Sequence, residues 1–185
     1  MAEVKRKYYS TGELLSEQFE LNGKIYGEFK SYHYNGQLYE ICTFVNGKRN
    51  GEYKQYYSNG CELFLDNSKR KNLDSFGQLS VICMFIDDKI NGEYKSYQLN
   101  GQFGEICNYT NGKKNGEFKS YYPNGQLWSE CSYVNDKKNG EYKEYYESGE
   151  LCIECSYVND KKNGKEKVYD TNGELIPEYI YDNDE

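Results

Sequence analysis

"NGEFKSYYPNGQLWSECSYVNDKK" occupies residues 115–138 and is followed at once by "NGEYKEYYESGELCIECSYVNDKK", residues 139–162, a second copy that differs at seven positions. A period of 24 is the signature of a repeat architecture, in which one supersecondary unit is stacked on its neighbours. Aligning the chain on the Gly that closes each turn gives Gly12, Gly36, Gly60, Gly77, Gly101, Gly125, Gly149 and Gly173, spaced 24, 24, 17, 24, 24, 24 and 24. The pattern therefore predicts one repeat domain over residues 1–185, with full-length units within 3–60 and 77–181. The stretch "CELFLDNSKRKNLDSFG", residues 61–77, is read as a truncated, degenerate unit.

Each unit holds a seven-residue segment such as "GEYKQYY", a tight "SNG" turn, a nine-residue segment and a six-residue link such as "NDKKNG". Both segments are rich in Tyr, Phe, Val and Ile and are bounded by Asn-Gly or Asn/Asp clusters, which are strand and hairpin signals. Gly or Asn-Gly recurs too often for a capped helix. The expectation is an all-β fold: an elongated single antiparallel sheet of about eight stacked hairpins and roughly fifteen strands.

Alternation along a strand sorts these residues by face. Counted from the turn Gly, position +2 carries Leu14, Leu38, Leu79, Phe103, Leu127, Leu151 and Leu175, position +6 carries Cys42, Cys83, Cys107, Cys131 and Cys155, and position +8 an aromatic such as Tyr133. Even offsets share a face, so Leu, Cys and the aromatic are expected on one side. In the first segment the Tyr32, Tyr56, Tyr97, Tyr121, Tyr145, Tyr169 series lies three residues after Phe29, Tyr53, Tyr94, Phe118 and Tyr142. Either both faces carry aromatics or a bulge separates the two series.

The recurrent phrase "G-E-[YF]-K-x-Y-Y-x-N-G-x-L" resembles the MORN repeat, in the variant form of YwqK-type antitoxin-like proteins and of multi-repeat arrays in large DNA viruses. The resemblance implies a twisted sheet of stacked hairpins serving as a non-catalytic platform for proteins or, in some members, for acidic phospholipid. It also implies, as a further reading, antitoxin-like neutralisation of a partner toxin. In the viral case the location is host cytoplasm or virion. No fused enzymatic domain accompanies the repeats.

Composition narrows the function classes. A net charge of −7 argues against a general nucleic-acid binder, which needs a basic face. No apolar run suits a secretory signal or a membrane span, which points to a reducing cytoplasmic setting, peripheral to a membrane at most. Equivalent cysteines in successive hairpins are expected about 9.6 Å apart, beyond disulfide or shared-zinc distance, so they read as small buried apolar groups. Cys152 and Cys155 form a CxxC whose members fall on opposite faces of a regular strand. His33, the only histidine, occupies a position that elsewhere holds Tyr57, Gln98, Tyr122 or Tyr146, which is foreign to a catalytic base. No catalytic residue, metal site or cofactor is assigned.

Two surfaces remain as binding candidates. One is an aromatic face for a partner protein, made of Phe29, Tyr53, Tyr94, Phe118 and Tyr142. The other is a basic edge of link residues, Lys48, Arg49, Lys113, Lys114, Lys137, Lys138, Lys161 and Lys162, suited to anionic lipid though interrupted by Asp136 and Asp160. The alternating Glu and Lys of "GExK" read as solvated cross-strand pairs. The expected function is a scaffold that binds protein, with acidic phospholipid as the alternative ligand.

Overall fold

A computed structural model describes residues 2–58 and 77–181 and contains fifteen strands, with no helix among the described residues. The chain divides into two compact units, Met1–Lys89 and Ile90–Glu185. The first contains β1 (Ala2–Tyr8), β2 (Leu14–Leu21), β3 (Lys24–Tyr32), β4 (Leu38–Val45), β5 (Lys48–Tyr56) and β6 (Leu79–Ile86). The two-residue β7 (Lys89–Ile90) stands at the division. The second contains β8 (Gly92–Tyr97), β9 (Phe103–Thr110), β10 (Lys113–Tyr121), β11 (Leu127–Val134), β12 (Lys137–Tyr145), β13 (Leu151–Val158), β14 (Lys161–Tyr169) and β15 (Leu175–Tyr181). Within each unit the long strands lie in sequence order in an open antiparallel sheet, as the hairpin repeat predicts.

The expected truncated unit, 61–77, falls almost wholly outside the described residues. Its flanks are informative. Tyr56 pairs with Leu79 as Tyr32 pairs with Leu38, so β5 and β6 make the same contact as β3 and β4 across a much longer stretch of chain.

The two turns of each repeat differ from expectation. The link, expected to span six residues, is a two-residue turn: Asn135 and Asp136 have φ of 51° and 70°, and Asn111 and Gly112 have 53° and 82°. Two successive positive φ values define the type I′ turn, whose twist matches that of the flanking strands. The "KKNG" that follows is strand. The "NG" turn, expected to be the tight one, takes five residues: the Tyr122 amide donates to the Gln126 carbonyl (2.8 Å) and the Gly125 amide to the Tyr122 carbonyl (2.9 Å).

Two bulges per hairpin reset the faces. In β10, Lys114 opposes Tyr109 and Phe118 opposes Cys107, so residues 115–117 bulge against Asn108, with Gly116 at φ 108°. A second shift at the strand end sets Tyr121 opposite Leu127, and Tyr32 opposite Leu38. Paired residues share a face, so the position +2 residues join the Tyr32 series, not the cysteines as parity alone predicts. Phe103 accordingly packs between Tyr97 and Tyr121, with ring centroids 5.2 and 5.9 Å away. Both faces therefore carry aromatics: Phe29 and its equivalents with the cysteines, Tyr32 and its equivalents opposite.

The cysteine face is the core. Cys107, Phe118 and Cys131 are buried together, flanked by Tyr94, Tyr109, Tyr133 and Tyr142. Rings meet edge to face, as in Phe118–Tyr133 (5.5 Å, 71°) and Tyr142–Tyr157 (5.6 Å, 73°), the arrangement that aromatic quadrupoles favour.

Candidate interaction surface

Successive hairpins are stapled at their turn ends by one recurring hydrogen bond. Tyr9 Oη donates to the Tyr32 carbonyl (2.7 Å), Tyr122 Oη to the Tyr145 carbonyl (2.8 Å) and Tyr146 Oη to the Tyr169 carbonyl (2.7 Å). Gln98 Nε2 reaches the Tyr121 carbonyl at 3.1 Å, and His33 Nε2 the Tyr56 carbonyl at 3.1 Å. A carbonyl only accepts, so Nε2 of His33 carries the proton. Tyr, Gln and His interchange here because each reaches with a donor; that is the duty of the lone histidine. Asn124 Nδ2 adds a parallel bond to the Glu147 carbonyl (2.9 Å).

The link ends are stapled too. Asp136 Oδ1 accepts from the Lys114 amide (2.7 Å) while its own amide donates to the Lys114 carbonyl (2.9 Å), and Asp160 does the same for Lys138. Asp88 binds Arg49 in this way and also accepts from its guanidinium Nε at 3.3 Å. Where the earlier position is Ile25 or Ile90 instead of a basic residue, the turn residue reaching back is Gly47 or Gly112. Acid follows base, and glycine follows isoleucine.

This geometry divides the basic residues of the expected edge. Lys114 pairs with Tyr109 and therefore faces the core; its Nζ stands 4.6 Å from the Phe118 ring centre and 5.4 Å from that of Tyr133. Lys138 stands likewise over Tyr142 (4.5 Å) and Tyr157 (5.1 Å), and Arg49 over Phe85 (4.3 Å). Lys162 turns to the buried Glu166. Arg49, Lys114 and Lys138 thus cap the core rings. Lys48, Lys113, Lys137 and Lys161 point to the opposite face and are exposed.

The aromatic residues proposed from sequence as a partner-binding face line this same core. Phe118 is 9% exposed and Phe29, Tyr53, Tyr94 and Tyr142 are half-buried. Burial pushes the Tyr142 hydroxyl far up, with its hydrogen bond to Glu144 (2.6 Å) adding to the shift. Burial also raises the Cys42 thiol to about 12 and the Cys83 thiol to about 11, and shifts Cys107, Cys131 and Cys155 in the same direction. Thiols so protonated are inert packing groups.

The exposed apolar residues are a different set, carried by each unit separately. At the link ends Leu21, Val45, Val134 and Val158 are all at least 37% exposed, on the face opposite the cysteines. Each pairs across its turn with an exposed lysine: Leu21 with Lys24, Val45 with Lys48, Val134 with Lys137, Val158 with Lys161. Position +9 holds this aliphatic and position +12 this lysine. Sequence reading passed over the aliphatics and Lys24 because it ranked aromatics and adjacent basic pairs first. The "GExK" charges lie on this face as well; several pair along the strand, as in Lys54–Glu52 and Lys95–Glu93 at 2.6 Å, while Lys119 pairs across strands with Glu130 at 3.9 Å.

Residues 25–46, 114–135, 138–159 and 162–183 match the MORN repeat variant. Those four segments, of 22 residues each, are what the chain shares with that repeat. Each match corresponds to one hairpin about a five-residue turn, β3–β4, β10–β11, β12–β13 and β14–β15, so the MORN unit ends at the type I′ turn. No curated protein matches the chain.

Proposed function

We propose that the chain is a non-catalytic scaffold that binds another protein through the link-end strip of exposed aliphatics and lysines. The observation that carries this reading is the repeated cross-strand couple, Leu21–Lys24 and Val45–Lys48 in the first unit and Val134–Lys137 and Val158–Lys161 in the second, which presents apolar area beside a positive charge within each unit. Its companion basic residues, Arg49, Lys114 and Lys138, stand over core rings, whereas the outward lysines are exposed beside the aliphatics. Such a strip suits a protein surface of apolar residues flanked by carboxylates, where burial supplies affinity and charge sets register.

The experiment is affinity capture with wild-type protein and with a variant carrying Val134→Thr, Val158→Thr, Lys137→Ser and Lys161→Ser. A partner held by wild type and lost by the variant, with circular dichroism unchanged, is the expected result. The same strip favours a second reading, peripheral binding to acidic phospholipid, because aliphatic and lysine side by side also fit a headgroup layer. Sedimentation with acidic liposomes that is strong at low salt and lost in the variant distinguishes it.

A further inference from the structure

Among the described residues, the first hairpin junction carries an unusual row of side chains. On the cysteine face of the first unit, four consecutive strands align Lys7, Ser16, Ser31 and Glu40 in register. Ser16 and Ser31 are buried and small, and they floor a trough of about 490 Å³ whose walls include Phe29 and Tyr39. That volume falls within the range of small-molecule sites.

The trough is open for identifiable reasons. Gln18 stands where other hairpins place a cysteine, and it turns to Glu20, Nε2 to Oε1 at 2.7 Å. Lys5 stands at the position of Phe29 and its equivalents and also turns to Glu20, at 2.6 Å. Gln18 lines one side of the trough, and Lys5 is not among its lining residues. In the second unit the corresponding serines, Ser120 and Ser129, bond each other at 2.7 Å, and farther along Glu144 faces Ile153.

The two ends of the row are not equivalent. Both Glu40 oxygens already accept hydrogen bonds, Oε1 from Ser31 Oγ (3.2 Å) and Oε2 from Tyr53 Oη (2.9 Å). Lys5 and Arg6 are paired with Glu20 and Glu17. Lys7, exposed at the other end, makes no ion pair among the described residues. The acidic end is thus committed by hydrogen bonds within the fold, while the basic end, which acts on Glu20 only through its charge, has its ammonium exposed to an anion. Between them lie two hydroxyls and the aromatic walls, with Tyr39 braced edge-on by His33 at 5.0 Å.

We propose that this trough binds a small aromatic carboxylate, its ring over the Ser16–Ser31 floor against Phe29 and Tyr39 and its carboxylate on Lys7. The ring supplies apolar area and edge-to-face contact. The charge-assisted bond to Lys7 selects the anion. This site is on the opposite face from the link-end strip, so it stands or falls separately from the scaffold reading.

Titration of the ¹⁵N-labelled full chain with 3-phenylpropionate tests it, with phenethylamine and propionate as controls lacking the anion and the ring. Saturable shifts at Ser16, Ser31 and Tyr39 are expected, with both controls weaker by about tenfold or more. Lys7→Gln, an exposed substitution that leaves the hairpin intact, is expected to weaken 3-phenylpropionate by about tenfold, the equivalent of one charge-assisted hydrogen bond. Absence of saturable shifts in the first unit, equal binding of phenethylamine, or unchanged affinity in Lys7→Gln overturns the proposal.

Discussion

At the residue scale, the exchange of Tyr, Gln and His at one repeat position follows from a shared requirement for a donor that reaches the next hairpin. Tyr122→Phe deletes the hydroxyl that bonds the Tyr145 carbonyl and is expected to lower stability by about 1 kcal/mol, read from urea unfolding. Tyr122→Gln, copying Gln98, is expected to retain most of it. That the position carries one shared duty was legible in the sequence, since siblings in a ladder are interchangeable; which duty it was depended on a carbonyl 23 residues away. The buried thiols give a second expectation, with a definite sign. Cys83 and Cys42 are raised to about 11 and about 12, so in alkali the unfolded chain, with ordinary thiols near ~8.5, binds fewer protons than the fold. Stability should therefore be undiminished below about pH 8 and fall as pH rises from there through 11, and Tyr32 and Tyr145, raised to about 12, act in the same direction. Melting temperatures measured from pH 7 to 11 check this, and a rise across that window contradicts it.

At the element scale, each repeat carries three Asn-Gly-like signals that fold in three ways. Asn111-Gly112 is a type I′ turn, Gly116 of Asn115-Gly116 lies in a bulge, and Asn124-Gly125 sits in a five-residue turn. The strands and their period were legible because aromatic and β-branched residues alternate between these signals. Which dipeptide makes the tight turn was not, because all three demand positive φ and only pairing register separates them. The missed bulge at Trp128, between Leu127 and Ser129, likewise carried the leucines to the other face. The link staple yields a coupled prediction. Asp136→Gly alone removes a bond to the Lys114 amide, and Lys114→Ile alone removes the cation over Phe118. Together they recreate the Ile90–Gly112 pair, so a double-mutant cycle is expected to show at least ~0.5 kcal/mol of favourable coupling. Gly125→Ala tests the long turn: φ is 88° and a Cβ would collide with the Gln102 side chain, so a loss of about 1–3 kcal/mol is expected in the same unfolding assay.

At the scale of the whole molecule, all-β hairpin repetition was the most legible feature, since stacking supplies each hairpin with the neighbour it lacks alone. The surface proposed for binding was the least legible. Phe118 and its equivalents read as a display of aromatics, yet with a single sheet the cysteine face must serve as its own core, and these rings fill it. The residues left outward, Val134 with Lys137 and Val158 with Lys161, are ordinary strand residues whose significance lies in exposure and repetition. The most direct test of the scaffold account is the capture comparison between wild type and the strip variant, run beside a control with Tyr34→Ser and Leu99→Ser at exposed turn positions. A stoichiometric partner retained by wild type and control but lost by the strip variant is the predicted result; equal capture by all three proteins contradicts it.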